Sequence, residues 1–156
     1  MRREVAGRSA GGAGSRRRRR DGYSVFVAEK DERLQDTLRE KFKGQGYRVF
    51  IAGDPLRALD RFRQQPYDAL VVDARTTGEE GIHIFERVLK EAERSRLPLV
   101  GILILSKEQA RQQQRLEIPE GAALMVGSPT MRQLRHKLEE LLREREDGEA
   151  RAAAGS

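Results

Sequence analysis

The sequence contains no cysteine, so disulfides, thiolate metal sites and cysteine nucleophiles are excluded. That suits a reducing compartment, and a cytoplasmic location is expected. No apolar run approaches the ~18–20 residues that a membrane-spanning helix needs, and no apolar stretch follows the basic amino terminus as a secretory signal requires. A glycine-rich phosphate-cradling motif is missing. Serine, histidine and aspartate are present, but nothing arranges them as a hydrolytic triad. The two histidines, His83 and His136, stand alone on expected helices and are read as surface residues. No enzyme is indicated.

What is present is charge, which makes up 36% of the 156 residues and is unevenly placed. Residues 1–22 hold eight arginines, including the run Arg16–Arg20, against Glu4 and Asp21; this segment alone accounts for the formal net charge of +6. The remainder sums to zero, so the expected folded body is not a basic nucleic-acid-binding domain. The arm lacks large apolar residues and is expected to be disordered over 1–22. It lacks aromatics as well, so base stacking is not indicated, and any nucleic-acid contact through Arg16–Arg20 is expected to be non-specific. Residues 144–156 are charged and then Ala/Gly/Ser-rich, and are expected to form a second disordered polar tail.

Between them, residues 23–143 alternate two periodicities. Ser24–Ala28 is a short apolar run, hence a buried strand. Leu34, Leu38 and Phe42 then recur as one helical stripe, closed by Gly44 and Gly46. Tyr47–Ile51 is the second strand, and Asp54-Pro55 reads as the N-cap and first residue of a helix that buries Leu59 and Phe62. Ala69–Val72 is an apolar strand ending at Asp73, followed by a helix carrying Ile82, Phe85, Val88 and Leu89. Leu99–Leu105 has the pattern of a central strand buried on both faces. Lys107–Leu116 is a polar helix candidate, Ala122–Val126 the fifth strand, and Met131, Leu134, Leu138, Leu141 and Leu142 stripe the last helix. Five strand–helix repeats predict a single α/β domain with a parallel sheet covered on both faces. Functional residues in such sheets gather beyond the carboxyl ends of the strands. Those positions hold Glu29, Lys30 and Asp31, then Asp73, Ser106, and Ser128-Pro129.

Over Tyr23 to about Leu142 the sequence resembles the receiver domain of bacterial response regulators. Asp73 ends an apolar strand as that family's phosphoacceptor does. Gly78 and Gly81 fit the loop that follows, Ser106 stands where the family has Ser or Thr, and Gly121-Ala122 and Pro129 flank the fifth strand as expected. The resemblance implies a flavodoxin-like sheet in the order 2-1-3-4-5, a role in two-component phosphorelay signalling, and partners in trans: a kinase or an output protein.

It also implies a pocket built from Glu29, Lys30, Asp73, Ser106 and Ser128, and here the sequence departs from the family. The second metal-ligand position is Lys30. The phosphate-reading lysine is replaced by Ser128, the fifth-strand aromatic by Met125, and the loop proline by Thr77. Glu29, Asp73 and Lys30 together carry about −1, with an ammonium where a divalent cation should sit. No cofactor is therefore expected; if the pocket did take Mg2+, Glu29 and Asp73 would be its ligands. Lys30 is expected to pair with Asp73 or Glu29, the alternative being a side chain that snorkels to solvent, and Asp31 is expected to cap the first helix. Ser106 has two readings, phosphate contact or helix cap running to Gln109. The function expected is a degenerate receiver acting by protein–protein contact. The alternatives are an authentic receiver phosphorylated on Asp73 and a nucleic-acid-associated adaptor using the arginine arm.

Overall fold

Each strand is short and largely apolar and alternates its side chains between the two faces of the sheet, the three central strands being buried on both. In the computed structural model, which describes residues 22–155, these strands are β1 (Ser24–Ala28), β2 (Arg48–Ala52), β3 (Ala69–Asp73), β4 (Val100–Leu105) and β5 (Ala122–Val126). They form one parallel sheet in the order β2-β1-β3-β4-β5. This is the flavodoxin-like 2-1-3-4-5 order. The helices are α1 (Glu32–Gly44), α2 (Leu56–Gln64), α3 (Ala74–Ser95), α4 (Lys107–Gln112) and α5 (Met131–Ala154).

Alternation divides the core in two. Val25, Val27, Val71, Ile102 and Ile104 meet Leu38 and Phe42 of α1 and Leu134, Leu138 and Leu142 of α5. Phe26, Leu70, Val72, Leu103 and Leu105 meet Phe62 of α2 and Phe85 and Val88 of α3 on the other face. Gly101 in β4 admits the Phe85 ring, since a Cβ there would stand 2.9 Å from it. The helix starts follow their caps. Asp31 Oδ1 accepts the Arg33 and Leu34 N–H groups, Asp54 accepts that of Leu56 ahead of a helical Pro55, and Thr130 and Gln133 form a capping box.

Three expectations differ from the structure. Helix α4 stops at Gln112, not Leu116, because its sequence supplies no apolar stripe to dock and only Ala110 packs toward the core. The segment after Asp73 is one helical turn rather than a loop. It is separated from the rest of α3 by Gly78, at φ 72° and ψ −153°, a conformation essentially reserved for glycine. Residues 144–154 are not a polar tail but the continuation of α5. Their Arg, Glu and Ala are strong helix formers, and tertiary contacts hold them. Arg145 donates to both the side chain and the carbonyl of Asp68 and lies over the Tyr23 ring. Tyr23 donates its hydroxyl to Glu146, and Asp68 also accepts the Ser24 N–H at 2.9 Å. The arginine arm, 1–22, lies outside the described residues apart from Gly22.

Candidate functional site

The carboxyl ends of β1 and β3 lie side by side, Ala28 opposite Val72. The next residue of each strand's run therefore enters one pocket. Glu29 continues the β1 ladder, its N–H donating to Ala52 at 3.0 Å, and Asp73 closes β3. Both are only 1% exposed. Two buried carboxyls so close cannot both keep their charge without compensation, and the structure compensates them unequally.

Asp73 receives a cation. The Arg75 Nε donates to Asp73 Oδ1 at 2.8 Å and Nη2 to Oδ2 at 3.0 Å, a two-pronged match of guanidinium to carboxylate. The Arg75 backbone N–H adds a third bond at 3.0 Å. Burial raises the Asp73 pKa, but Arg75 and a hydrogen bond from Glu29 outweigh it and hold the group below the ordinary carboxylate range. Glu29 has no ion-pair partner among the described residues. Burial, then its hydrogen bond to Asp73, push it up to about 7 despite the help of Thr76 and the Asp31 N–H. The pair thus separates into an ionised Asp73 and a Glu29 that holds a proton up to near neutrality.

The turn Ala74–Thr77 supplies the remaining contacts. Thr76 donates its hydroxyl to Glu29 Oε2 at 2.6 Å and accepts the Lys30 N–H at 3.2 Å. Thr77, buried, donates to the Asp73 carbonyl at 2.9 Å. Gln109 of α4 donates to the Ala74 carbonyl at 2.8 Å. Arg75 also donates through Nη1 to the Gly127 carbonyl at 3.1 Å, tying the β3 turn to the end of β5.

Of the five residues expected in the pocket, Glu29 and Asp73 come together. Lys30 does not join them. Its side chain is exposed and forms no ion pair among the described residues. The expected pairing of Lys30 with Asp73 or Glu29 is replaced by Arg75. Ser106 is the α4 cap, its Oγ accepting the Gln109 N–H at 3.0 Å while Gln109 accepts the Ser106 N–H at 2.9 Å. Ser128 is exposed on the turn before α5. Sequence reasoning missed Arg75 and Thr76, and named Gln109 only as the Ser106 capping partner, not as a donor to Ala74; the signal was a cation two residues after the strand-ending aspartate, within reach if the segment turned helically.

No protein-family model matches the chain. Among curated proteins it is 26% identical over 87 residues to the transcriptional activator protein PfeR of Pseudomonas aeruginosa, a match covering 56% of this chain and 28% of PfeR. The chain therefore spans little more than a quarter of that relative. Solved structures match more completely. The CheY-like response regulator receiver domain protein of Methanospirillum hungatei superposes with a TM-score of 0.65 at 20% identity, over 81% of this chain and 98% of that one. The receiver domain of the TMAO respiratory system response regulator TorR gives 0.62 at 20%, over 78% and 98%. TrrA of Thermotoga maritima, solved with Mg2+-BeF, gives 0.61 at 20%, over 76% and 98%. The fold is that of a response-regulator receiver domain.

Against the receiver fold, the donor set is unsuited to Mg2+, which needs several oxygen ligands in near-octahedral array. Both Asp73 oxygens are taken by Arg75, and Glu29 Oε2 is taken by Thr76 and the Asp31 N–H. No cluster of three acidic or histidine side chains suited to a metal exists among the described residues. Among the described residues, no helix is long and apolar enough to cross a membrane.

Proposed function

We propose that this chain is a receiver-fold signalling protein of the two-component type that works by protein–protein contact, with a kinase or output protein as its partner in trans and without phosphoryl chemistry of its own. The observation that carries this reading is the two-pronged Arg75–Asp73 pair. A carboxylate oxygen that attacks phosphorus must be free, and it needs a cation that stabilises charge on the transferring group as well. Here the cation is covalently part of the chain and spent on the nucleophile itself. Ser128 supplies no ammonium to read a phosphate, and Ser106 is committed to its capping box. The arginine fork also reaches the Gly127 carbonyl, joining the turn after β3 to the end of β5.

The second reading, an authentic receiver phosphorylated on Asp73, draws support from the position of Asp73, ionised at the carboxyl end of β3. Incubation with acetyl phosphate and Mg2+ followed by intact-mass and peptide analysis separates the two. The expected result is no phosphoryl adduct on Asp73. Stoichiometric modification at Asp73 overturns the first reading and establishes the second. A nucleic-acid-associated adaptor rests on Arg16–Arg20 alone, because the described residues carry no net charge.

A further inference from the structure

A second concavity lies at the opposite end of the sheet, where the strands begin. It is a groove of 1040 Å³ between the C-terminal halves of α3 and α5 and the 117–121 turn, lined in part by Leu89, Leu99 and Ile118. Five glutamates also line it: Glu86, Glu93, Glu117, Glu120 and Glu144. None of the five has an ion-pair partner among the described residues. Of the three basic residues along the groove, Lys90, Arg145 and Arg151, Arg145 is already engaged by Asp68. Unpaired carboxylates beside apolar surface form an environment that suits arginine, whose fork matches a carboxylate and whose methylene stem covers apolar atoms.

The chain enters the fold beside this groove. The Tyr23 ring, immediately before β1, sits 5.4 Å from the guanidinium of Arg145, and Arg145 is a groove residue. Arg16–Arg20 precede Tyr23 by three to seven residues. At no more than ~3.6 Å per residue they reach about 10–25 Å from it, enough to follow α5 from Leu141 to Arg151, a rise of about 15 Å. The excess positive charge of the chain is thus tethered next to its unpaired negative charge.

We propose that Arg16–Arg20 dock in cis on this groove, their guanidinium groups on Glu93, Glu117, Glu120 and Glu144. The tether makes the contact intramolecular, so its occupancy does not depend on protein concentration, while its exposure makes it sensitive to salt. The arm is thereby withheld from other polyanions.

Trypsin cleavage within residues 16–20 of the full-length chain, resolved by mass spectrometry and normalised to a free peptide of residues 1–22, tests this. Docking protects these bonds at low ionic strength. Cleavage should rise several-fold at high salt, and several-fold at low salt in the E93Q/E117Q/E120Q/E144Q variant. A control variant on α1, E32Q/E40Q, should cleave like the unaltered protein. Should the quadruple variant fail to fold by circular dichroism, the salt series on the unaltered chain still decides. Equal normalised cleavage at both salt concentrations, or in all folded variants, overturns the proposal. Protection that grows with protein concentration places the arm on a second copy and overturns docking in cis.

Discussion

Replacing Arg75 by alanine leaves Asp73, 1% exposed, without the guanidinium that bonds both its oxygens at 2.8 and 3.0 Å. Breaking a fully buried ion pair by removing one partner costs about 3–5 kcal/mol. Two features lower that figure here. The Arg75 side chain is 26% exposed, so water enters where it leaves, and the neighbouring Glu29 proton remains to hydrogen-bond to Asp73. The expected loss is about 2–3 kcal/mol, including the bond to Gly127. With a urea dependence of about 1–3 kcal/mol per molar, the unfolding midpoint falls by roughly 0.7–3 M. Circular dichroism is the natural probe, since the chain has no tryptophan. The decisive control is the pair D73N and D73N/R75A. With no charge on residue 73, removing Arg75 should cost less by about 1–2 kcal/mol, the coupling energy of a contacting pair. A loss under ~0.5 kcal/mol for R75A, or additive losses in the cycle, would refute the argument that Arg75 is the counter-charge of this pocket.

Other consequences follow from the same geometry. Glu29 is raised from 4.5 to about 7 by burial and by Asp73, so its contribution is complete below pH 4.5 and is lost as pH rises through 7, at most about 3 kcal/mol. Asp73, shifted downward, contributes in the opposite sense, losing stability only as pH falls below its ordinary 3.8. Glu29→Gln keeps the bonds to Thr76 and Asp73, and it should abolish the decline between pH 4.5 and 7 seen in urea midpoints; an unchanged slope would assign it to another group. Gly78→Ala forces a side chain onto φ 72°, ψ −153° and should cost about 1–3 kcal/mol in the same assay; a neutral substitution would mean that the turn before α3 relaxes freely. Truncation after Arg143 removes the Arg145 and Glu146 contacts with Asp68 and Tyr23 and should lower stability by about 2 kcal/mol, whereas an inert tail would leave the midpoint unmoved.

The elements were legible because each apolar pattern had one reading. Strands flanked by helical stripes at Leu38/Phe42, Phe85/Val88 and Leu134/Leu138/Leu142 leave little choice but a parallel sheet with helices on both faces. Glu29 and Asp73 were legible as strand-end residues. The pocket's cation was not, because it depends on whether the backbone after Asp73 turns helically, a matter decided by Thr77 bonding back to Asp73 and by Gly78 ending the turn. Read as a loop, the segment places Arg75 in solvent and leaves Lys30 as the nearest positive charge. The helicity of 144–154 was hidden for a related reason. Its partners, Tyr23 and Asp68, are more than 70 residues away in sequence, and a polar stretch without an apolar stripe gives no local sign of them.

The contacts among Tyr23, Ser24, Asp68, Arg145 and Glu146 join the residue where the chain enters β1 to the helix on which it leaves. The clasp lies at the end of the sheet where the strands begin. The Glu29–Asp73 pocket sits at the far end of the same strands. The clasp therefore fastens the start of β1 to the second half of α5 at the pole opposite the acid pocket, so the two can be perturbed independently by mutation.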